Sequence, residues 1–263
     1  MNGRNALALA TWNVNSLRVR LEHLARWLPS AACDVLGLQE TKLPDDAFPA
    51  QALAGLGLAG GWHGQRTYNG VALLAREPVA DVVRGIPGFT DAQARVIAGS
   101  VRGVRVIDVY VPNGQSVGSD KFRYKLLWLA ALQDYLAAEL ARFPLLAVVG
   151  DYNIAPEDRD VHDPQAWLGQ VHVSAEERAA LGALLATGLV DVFRRFEQPE
   201  RSFSWWDYRA AAFRRNAGLR IDLILASPAL AGRCTGCRID RETRRWERPS
   251  DHAPVVATFD LTA

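Results

Sequence analysis

The sequence feature that most constrains the fold is an apolar run of strand length that ends in a polar cluster and recurs along the chain. Each run has five to seven residues and is bounded by turn-forming residues, which is typical of a buried β-strand. The runs span residues 6–12, 34–38, 104–109, 145–149, 221–225 and 254–259. So many buried strands must stack in sheets whose outer faces are covered.

Helical patterns lie between these runs. The apolar spacing predicts a helix over 20–28 that closes at Pro29, and a longer amphipathic helix over 121–143. Ser174 and Glu177 form a capping box that opens a third helix, which continues to Gly188.

The pair Asn69 and Gly70, placed just before the apolar residues 71–74, predicts a tight hairpin turn. No linker of Pro, Gly or Ser divides the chain. We therefore expect an α/β fold in a single domain over residues 1–263, with a layered sheet core flanked by helices.

Composition excludes several classes of protein. The 263 residues are 49% hydrophobic and 22% charged, which is ordinary for a globular protein and excludes a disordered or collagen-like chain. No apolar run approaches the roughly 18–20 residues that a membrane helix needs. The first ten residues are too short and too polar for a secretory signal.

The three cysteines cannot form a disulfide framework, and their odd number predicts a reducing, cytoplasmic location. Cys234 and Cys237 have the C-x-x-C spacing of zinc and redox sites. A zinc site needs two further ligands, and the sequence has no second pair. We therefore interpret them as small residues in a turn.

Basic residues are unevenly distributed. The chain carries a net charge of +1, but residues 201–248 hold 11 Arg and no Lys against 5 Asp and Glu, a local charge of +6. Arginine forks suit bidentate phosphate contacts, so this segment favours a polyanionic partner. A genome rich in G and C explains an arginine-rich chain equally well.

The polar clusters at the strand ends carry the chemistry. Strand ends of an α/β sheet gather at one edge, where such folds place their sites. These clusters contain no cysteine nucleophile, no glycine-rich phosphate loop and no G-x-S-x-G motif. Carboxylates with a single imidazole favour Mg²⁺ or Mn²⁺ over zinc, and Mg²⁺ commonly acts with substrate phosphates. The residues are Asn13, Glu40, Tyr110, Asn113, Asp151, Asn153, Asp222, Asp251 and His252.

Taken in order, these clusters resemble the motif series of the exonuclease III family, the bacterial abasic-site endonucleases and 3′-exonucleases. The series is TWNVNS at 11–16, LQETK at 38–42, YVPNG at 110–114, GDYNIAP at 150–156, LRID at 219–222 and SDHAP at 250–254. The last motif also occurs in sphingomyelinases and inositol phosphatases. The combination with LQETK and with FSWWDY at 203–208 is much more specific.

This resemblance implies a four-layer α/β sandwich of two packed mixed sheets. It also implies Mg²⁺-dependent hydrolysis of DNA phosphodiesters 5′ to abasic sites, with 3′-5′ exonuclease and 3′-phosphatase capacity, in base-excision repair. Mn²⁺ is expected to substitute. The partner is then duplex DNA with abasic sites or 3′ ends, with no membrane, and the protein is expected to be a monomer.

The resemblance also implies a role for each matched residue. Glu40 is the principal metal ligand, with Asp251 and Asn13 around the same ion. Asp151 orients or deprotonates the attacking water, and Asn153 holds the geometry. His252 contacts the scissile phosphate while Asp222 fixes its tautomer. Tyr110 acts as a phenol donor or a phenolate, and Asn113 contacts substrate.

Three further residues are expected to wall a pocket for a flipped-out abasic sugar: Trp205, Leu219 and Ile221. Such a pocket must be small and apolar to exclude a complete nucleotide. Lys121 and Lys125 are candidates for tracking the DNA backbone, with a solvated helix face as the alternative. Lys42 is either functional or a surface charge, and the histidines at 23, 63, 162 and 172 are expected to be structural or at the surface.

Three alternatives keep the same fold. A mainly 3′-end-processing enzyme with weak abasic activity remains open, because loop 157–170 does not align clearly with the family pattern and this region divides the activities. A lipid or inositol phosphoesterase is disfavoured by the FSWWDY segment and the arginine-rich C-terminal third. A non-catalytic nucleic-acid-binding protein is disfavoured because every catalytic position is filled.

Overall fold

The structure, a computed structural model, describes residues 5–262. Its strands form two six-stranded mixed sheets, in the orders β11-β12-β1-β2-β4-β3 and β5-β6-β7-β8-β10-β9. The strands are β1 (Ala6–Asn13), β2 (Val35–Gln39), β3 (Ala59–His63), β4 (Val71–Ala75), β5 (Ala80–Arg84), β6 (Val96–Val101), β7 (Val104–Tyr110), β8 (Leu146–Asp151), β9 (Val190–Asp191), β10 (Asp222–Ala226), β11 (Cys234–Ile239) and β12 (Val255–Asp260).

Helices cover the outer face of each sheet. The helices are α1 (Leu17–Ala31), α2 (Ala50–Gly55), α3 (Asp120–Arg142), α4 (Pro164–Trp167), α5 (Ala175–Ala186), α6 (Ala212–Arg215) and α7 (Pro228–Ala231). Short 3₁₀ turns lie at Asp45–Ala47, Asp158–Asp160, Val192–Arg195, Arg209–Ala211 and Arg241–Arg245.

Three apolar layers hold the sandwich together. The central layer packs side chains of the two sheets against each other, for example Leu9 of β1 and Val149 of β8. A second layer joins the other sheet face to α3 and α5, and a third joins the first sheet to α1 and α2. Central strands such as β1 and β8 are buried on both faces because both faces are covered. The four-layer sandwich of the expected α/β fold class is confirmed.

The six predicted strands all form, each within one or two residues of its predicted bounds. The capping box of α5 is also confirmed: Ser174 Oγ accepts from the Glu177 N–H, and the Glu177 carboxylate accepts from the Ser174 N–H. The single-domain boundary 1–263 stays a prediction.

Three local predictions are wrong. Helix α1 continues past Pro29 to Ala31, because a proline near a helix end interrupts few hydrogen bonds. Asn69 and Gly70 end a longer connection over 64–70 between the antiparallel strands β3 and β4. Cys234 and Cys237 lie on strand β11, not in a turn, and pack against the central layer.

Within residues 5–262, the structure has no helix that is both long and apolar enough to span a membrane.

Candidate active site

Two pairs of parallel strands bring four of the candidate residues to one edge of the sandwich. In the first sheet, β1 ends at Asn13 beside the end of β2, and Glu40 follows directly. In the second sheet, Tyr110 and Asp151 are the final residues of β7 and β8 and lie in register. Parallel neighbours end on the same side, so the topology places these side chains together.

Two antiparallel strands complete the cluster by starting at this same edge. Asp222 is the first residue of β10 and lies opposite Asp151. His252 precedes β12, whose first residue Val255 pairs with Thr11 near the end of β1. The polar residues therefore follow parallel strands and precede antiparallel ones, as expected for groups that share one edge.

Hydrogen bonds cross from one sheet to the other at this edge. The Asn13 amide donates to Glu40 Oε1 and to Asp151 Oδ2, both at 2.9 Å. The Tyr110 hydroxyl also donates to Glu40 Oε1 at 2.9 Å. Burial, followed by the neighbouring Glu40 carboxylate, raises the pKa of Tyr110 well above its usual value, so the free site holds a phenol.

His252 lies between two buried aspartates. Its Nδ1 donates to Asp222 at 2.9 Å, and its Nε2 lies 3.7 Å from Asp151 Oδ2. Burial alone would lower the pKa of His252, but Asp222 and Asp151 together raise it to about 10. Burial raises the pKa of Asp151 to about 7, an effect that the His252 charge opposes. The arrangement provides an imidazolium beside a carboxylate that can accept a proton.

One atom from each of Glu40, Asp151 and His252 lies within 4.8 Å of the others, and these atoms could hold a metal ion. The two carboxylates suit a hard divalent cation. The Nδ1 of His252 is already bound to Asp222, so only its Nε2 faces this cluster. Asp251 uses its two oxygens to accept from the Asn15 amide at 2.9 Å and from Trp205 Nε1 at 3.0 Å. The predicted ligand set of Glu40, Asp251 and Asn13 stays a prediction.

Several residues at this edge hold a left-handed backbone. The φ angles are +45° at Asn15, +53° at Glu40, +55° at Lys42 and +50° at Asn153. Such angles cost about 1–3 kcal/mol each in a non-glycine residue and cluster at functional sites. Lys42 is no free surface charge, because its Nζ lies 2.8 Å from Glu40 Oε2 and also donates to the Asn15 amide oxygen.

The other two candidate asparagines are linked to this edge, which we call the catalytic edge and which carries Glu40, Asp151 and His252. The Asn153 N–H donates to Asp151 Oδ1 at 2.9 Å, and its amide donates to the Val111 carbonyl. The Asn113 amide lies 3.4 Å from Asn153 Oδ1. Lys121 is exposed on the first turn of α3 and lines a cavity of about 750 Å³ together with Tyr110 and Asn113.

Lys125 does not lie where a residue that contacts the DNA backbone must lie, at the protein surface. Its side chain is fully buried and paired with Glu177. Lys125 lies one helical turn beyond Lys121, where α5 packs on α3, so it faces protein instead of solvent.

The three predicted pocket residues do come together. Leu219 pairs with Trp205 through the backbone, and both pack with Ile221 in one apolar cluster. However, Leu219 is 0% exposed and Ile221 2% exposed. The rings of Trp167 and His172 lie 6.5 and 6.4 Å from the Trp205 ring. These two side chains occupy the space around Trp205 at the catalytic edge.

His172 is the functional candidate that sequence reasoning missed. It is buried with φ +76°, its Nδ1 donates to the Asn153 carbonyl at 2.6 Å, and its Nε2 lies 3.4 Å from the Asn113 amide. Burial, followed by the nearby Lys125, lowers the pKa of His172 to about 4, so the ring is neutral at pH 7. No motif contains this residue, and only the folded loop brings it to the site.

Loop 157–170, which the sequence left unassigned, is anchored by a buried ion pair. Arg220 Nε donates to Asp160 Oδ1 at 2.6 Å, and both side chains have almost no exposure. Arg220 also pairs with Asp191 at 2.7 Å. The loop then continues into α4, whose last residue Trp167 reaches Trp205.

Comparisons with known proteins agree with this geometry. Residues 10–252 match the Endonuclease/Exonuclease/phosphatase family. The chain is 38% identical to an exodeoxyribonuclease III of Haemophilus influenzae, with 95% of this chain and 98% of the relative covered. It is 32% identical to an exodeoxyribonuclease of Bacillus subtilis, with 97% and 100% covered.

Solved structures are similar over nearly the whole chain. A 3′ phosphatase, NExo, from Neisseria, bound to a product DNA hairpin, has 48% identity and a TM-score of 0.95, covering 97% of this chain and 99% of that one. An AP endonuclease from Archaeoglobus fulgidus has 39% identity and a TM-score of 0.93, with 97% and 99% covered.

Proposed function

This chain belongs to the Endonuclease/Exonuclease/phosphatase family, as an enzyme of the exodeoxyribonuclease III type, and we propose that it hydrolyses phosphate esters at the 3′ ends of duplex DNA. Within this proposal, 3′-phosphatase and 3′-5′ exonuclease activities outweigh incision at abasic sites. The sequence left open whether the enzyme mainly incises abasic sites or mainly processes 3′ ends, and we favour the processing of 3′ ends.

One observation carries this choice of substrate. An abasic sugar must turn out of the duplex into an apolar pocket. The residues expected to wall that pocket, Leu219 and Ile221, offer almost no surface, and Trp167 and His172 pack around Trp205. A 3′-terminal phosphate reaches the catalytic edge without such a pocket. The similarity to the Neisseria 3′ phosphatase supports the same choice.

The catalytic steps follow from charges at this edge. Water attacks phosphorus while Asp151 accepts its proton, and the bond from phosphorus to the 3′ oxygen breaks, so that this oxygen leaves with the DNA and takes a proton from solvent. His252 faces the phosphate as an imidazolium, held by Asp222, and offsets the charge that builds on the phosphate oxygens. The Tyr110 hydroxyl and the Asn113 amide are further donors to those oxygens, while Asn153 holds Asp151 in place through its N–H and amide.

Glu40, with Asp251 and Asn13, would hold the Mg²⁺ or Mn²⁺ ion. When bound, the ion neutralises phosphate charge and stabilises the leaving oxygen. Of these three residues, Glu40 is the one that contributes a carboxylate oxygen to the cluster with Asp151 and His252, and hard cations prefer oxygen. We further propose that the enzyme acts as a monomer in the cytoplasm.

Abasic-site incision is the second candidate. Trp205 Nε1 donates to Asp251, so the aromatic residue of the expected sugar pocket directly contacts a predicted metal ligand. The Archaeoglobus fulgidus AP endonuclease is also similar over the whole chain. A side-chain change that clears the space beside Trp205 is therefore expected to raise this activity.

The test uses three labelled duplexes with Mg²⁺ or EDTA: a 3′-phosphate end, a recessed 3′-hydroxyl end, and an internal tetrahydrofuran abasic analogue. We expect Mg²⁺-dependent removal of the 3′ phosphate to be fastest and abasic incision slowest. Abasic incision faster than both end reactions would overturn the proposed preference. No cleavage of any duplex would redirect the search to lipid and inositol phosphates.

His172→Gly sharpens the test. Glycine accepts the φ of +76° without strain and clears the space beside Trp205, so abasic incision is expected to rise relative to phosphate removal. Ala32→Gly is the matched control, because Ala32 has φ +50° at the end of α1, away from the catalytic edge. An unchanged activity ratio in His172→Gly would show that His172 does not limit access.

A further inference from the structure

Lys125 uses all of its hydrogen-bonding capacity inside the protein. Its Nζ donates to Glu177 Oε1 at 2.5 Å, to the Asn153 carbonyl at 2.7 Å and to the Asn113 carbonyl at 3.2 Å. The side chain is fully buried, as is that of Glu177. Three donors and three acceptors leave Lys125 no capacity to contact DNA.

Glu177 extends this network to a third loop. Its Oε1 also accepts from the His172 N–H at 3.0 Å, and its Oε2 accepts from the Ser174 N–H and hydroxyl. The Lys125–Glu177 pair therefore joins α3 and α5 to the loops that carry Asn113, Asn153 and His172.

Those three loops meet beside the catalytic edge. Asn113 contacts Asn153 and His172 at 3.4 Å, and His172 donates to the Asn153 carbonyl. Asn153 and His172 have φ angles of +50° and +76°. Such conformations persist only where surrounding contacts fix them, and the bonds from Lys125 and Glu177 are contacts of this kind.

Stability alone does not explain a buried ion pair, because replacing such a pair by uncharged side chains is often neutral or stabilising. The same helix offers a comparison. Arg105 and Glu139 form another buried pair, at 2.6 Å, and Glu139 lies near the opposite end of α3 from the catalytic edge. Of these two pairs, only Lys125–Glu177 bonds to the loops that carry Asn113, Asn153 and His172.

We propose that Lys125 and Glu177 are positioning residues, which hold Asn113, Asn153 and His172 in the arrangement that receives the substrate phosphate. This inference deepens the proposed function and rests on it. The pair acts through the three loops and touches no substrate.

The test compares two double variants, Lys125→Met/Glu177→Gln at the site and Arg105→Met/Glu139→Gln as the matched control. Each removes a buried pair without leaving a buried unpaired charge; in the control, Arg142 loses its contact with Glu139 but is exposed to water. We expect both to stay folded, with melting temperatures within about 5 °C of each other. The site variant should lose about 10- to 100-fold in kcat on a 3′-phosphorylated duplex, with KM changed less than about 3-fold. The control variant should keep the wild-type kcat.

Lys125→Arg adds a conservative variant for the case that the double variant does not fold. It retains the charge and several donors, so it should keep its fold and an intermediate kcat. Equal losses of kcat in the two double variants, or full kcat in Lys125→Met/Glu177→Gln and in Lys125→Arg, would overturn the inference. An inactive wild type would instead contradict the proposed function.

Discussion

The charge of His252 is set by three carboxylates that share its surroundings. Asp222 fixes the tautomer, and Asp151 and Asp251 add to the negative potential. The imidazole therefore stays protonated at pH values between about 7 and 10, at which a free histidine is neutral. A site that must hold an anionic phosphate gains from this fixed positive charge.

Replacing either central residue is expected to abolish most activity. Glu40→Gln removes the main predicted metal-binding charge, and His252→Ala removes the imidazolium, so each should lower kcat by roughly 10²–10⁴. Steady-state hydrolysis of a 3′-phosphorylated duplex measures the loss. His63→Ala, on strand β3, is the control and should retain its rate. Near wild-type rates in both variants would refute the site assignment.

The pH dependence follows from the two central pKa values. Asp151 must be ionised to accept a proton, so kcat/KM should rise as pH increases through about 7. It should fall again as His252 loses its charge near pH 10. Because the reaction requires a divalent cation, whose positive charge favours the carboxylate, the midpoint of this rise should lie at or below pH 7. Initial rates across pH 5–11 test the bell shape, and a flat profile would exclude both groups.

At the scale of whole strands, Asp108 of β7 is a buried acid between the two sheets. Gln39 of β2 donates to Asp108 Oδ1 at 2.5 Å and also to Thr11. Asp108 Oδ2 and Gln39 Oε1 have no partner among the hydrogen bonds of the described residues. Burial raises the pKa of Asp108 well above its usual value, which indicates a neutral acid.

This acid predicts a pH-dependent stability. The folded state keeps a proton that the unfolded chain releases above about pH 4, so the free energy of unfolding falls as pH rises toward the folded-state pKa. Asp108→Asn has no carboxyl group to titrate, so its free energy of unfolding should not fall in this way as pH rises. Its side-chain amide can also donate to Gln39. Urea denaturation should show that the variant gains stability relative to wild type between pH 5 and pH 8.

The exposed Asp120→Asn is the control for this experiment, since its side chain is 92% exposed and no such difference is expected. If Asp108→Asn lowers the free energy of unfolding by the same amount at pH 5 and at pH 8, then Asp108 is ionised in the folded protein.

At the scale of the whole molecule, the overall charge of +1 hides a basic face. Residues 207–217 follow Trp205 and Trp206 and include the exposed Arg214 and Arg215. Tyr208 in the same segment lies 3.4 Å from the Asn15 amide, so this segment borders the catalytic edge. A DNA duplex bound at that edge would lie against these arginines.

Replacing Arg214 and Arg215 by Gln should therefore weaken DNA binding and reduce its dependence on salt. Each lost phosphate contact lowers the slope of log K against log salt by about 0.9. Fluorescence anisotropy with a labelled duplex at several salt concentrations measures the slope. Arg142→Gln, at the end of α3, should leave it unchanged. An unchanged slope in the Arg214 and Arg215 variant would place the DNA elsewhere.

The sequence by itself determined the strands and their polar ends. Local apolar runs specify buried strands, and residues such as Asn13, Asp151 and Asp222 follow or begin those strands, so their convergence depends only on strand direction. The motif resemblance then predicted the family and the four layers, both of which are confirmed.

The tertiary structure decided what depends on contacts between distant segments. His172 lies 19 residues from Asn153 along the chain. Its N–H donates to Glu177, and this contact holds its ring against the Asn153 carbonyl. Lys125 looks like a surface cation in the sequence and becomes buried because α5 packs on α3. The space beside Trp205 depends on where loop 157–170 places Trp167. The pattern of apolar residues predicts which residues are buried. The hydrogen-bond partners of polar groups are set only by the tertiary fold, which brings distant segments together.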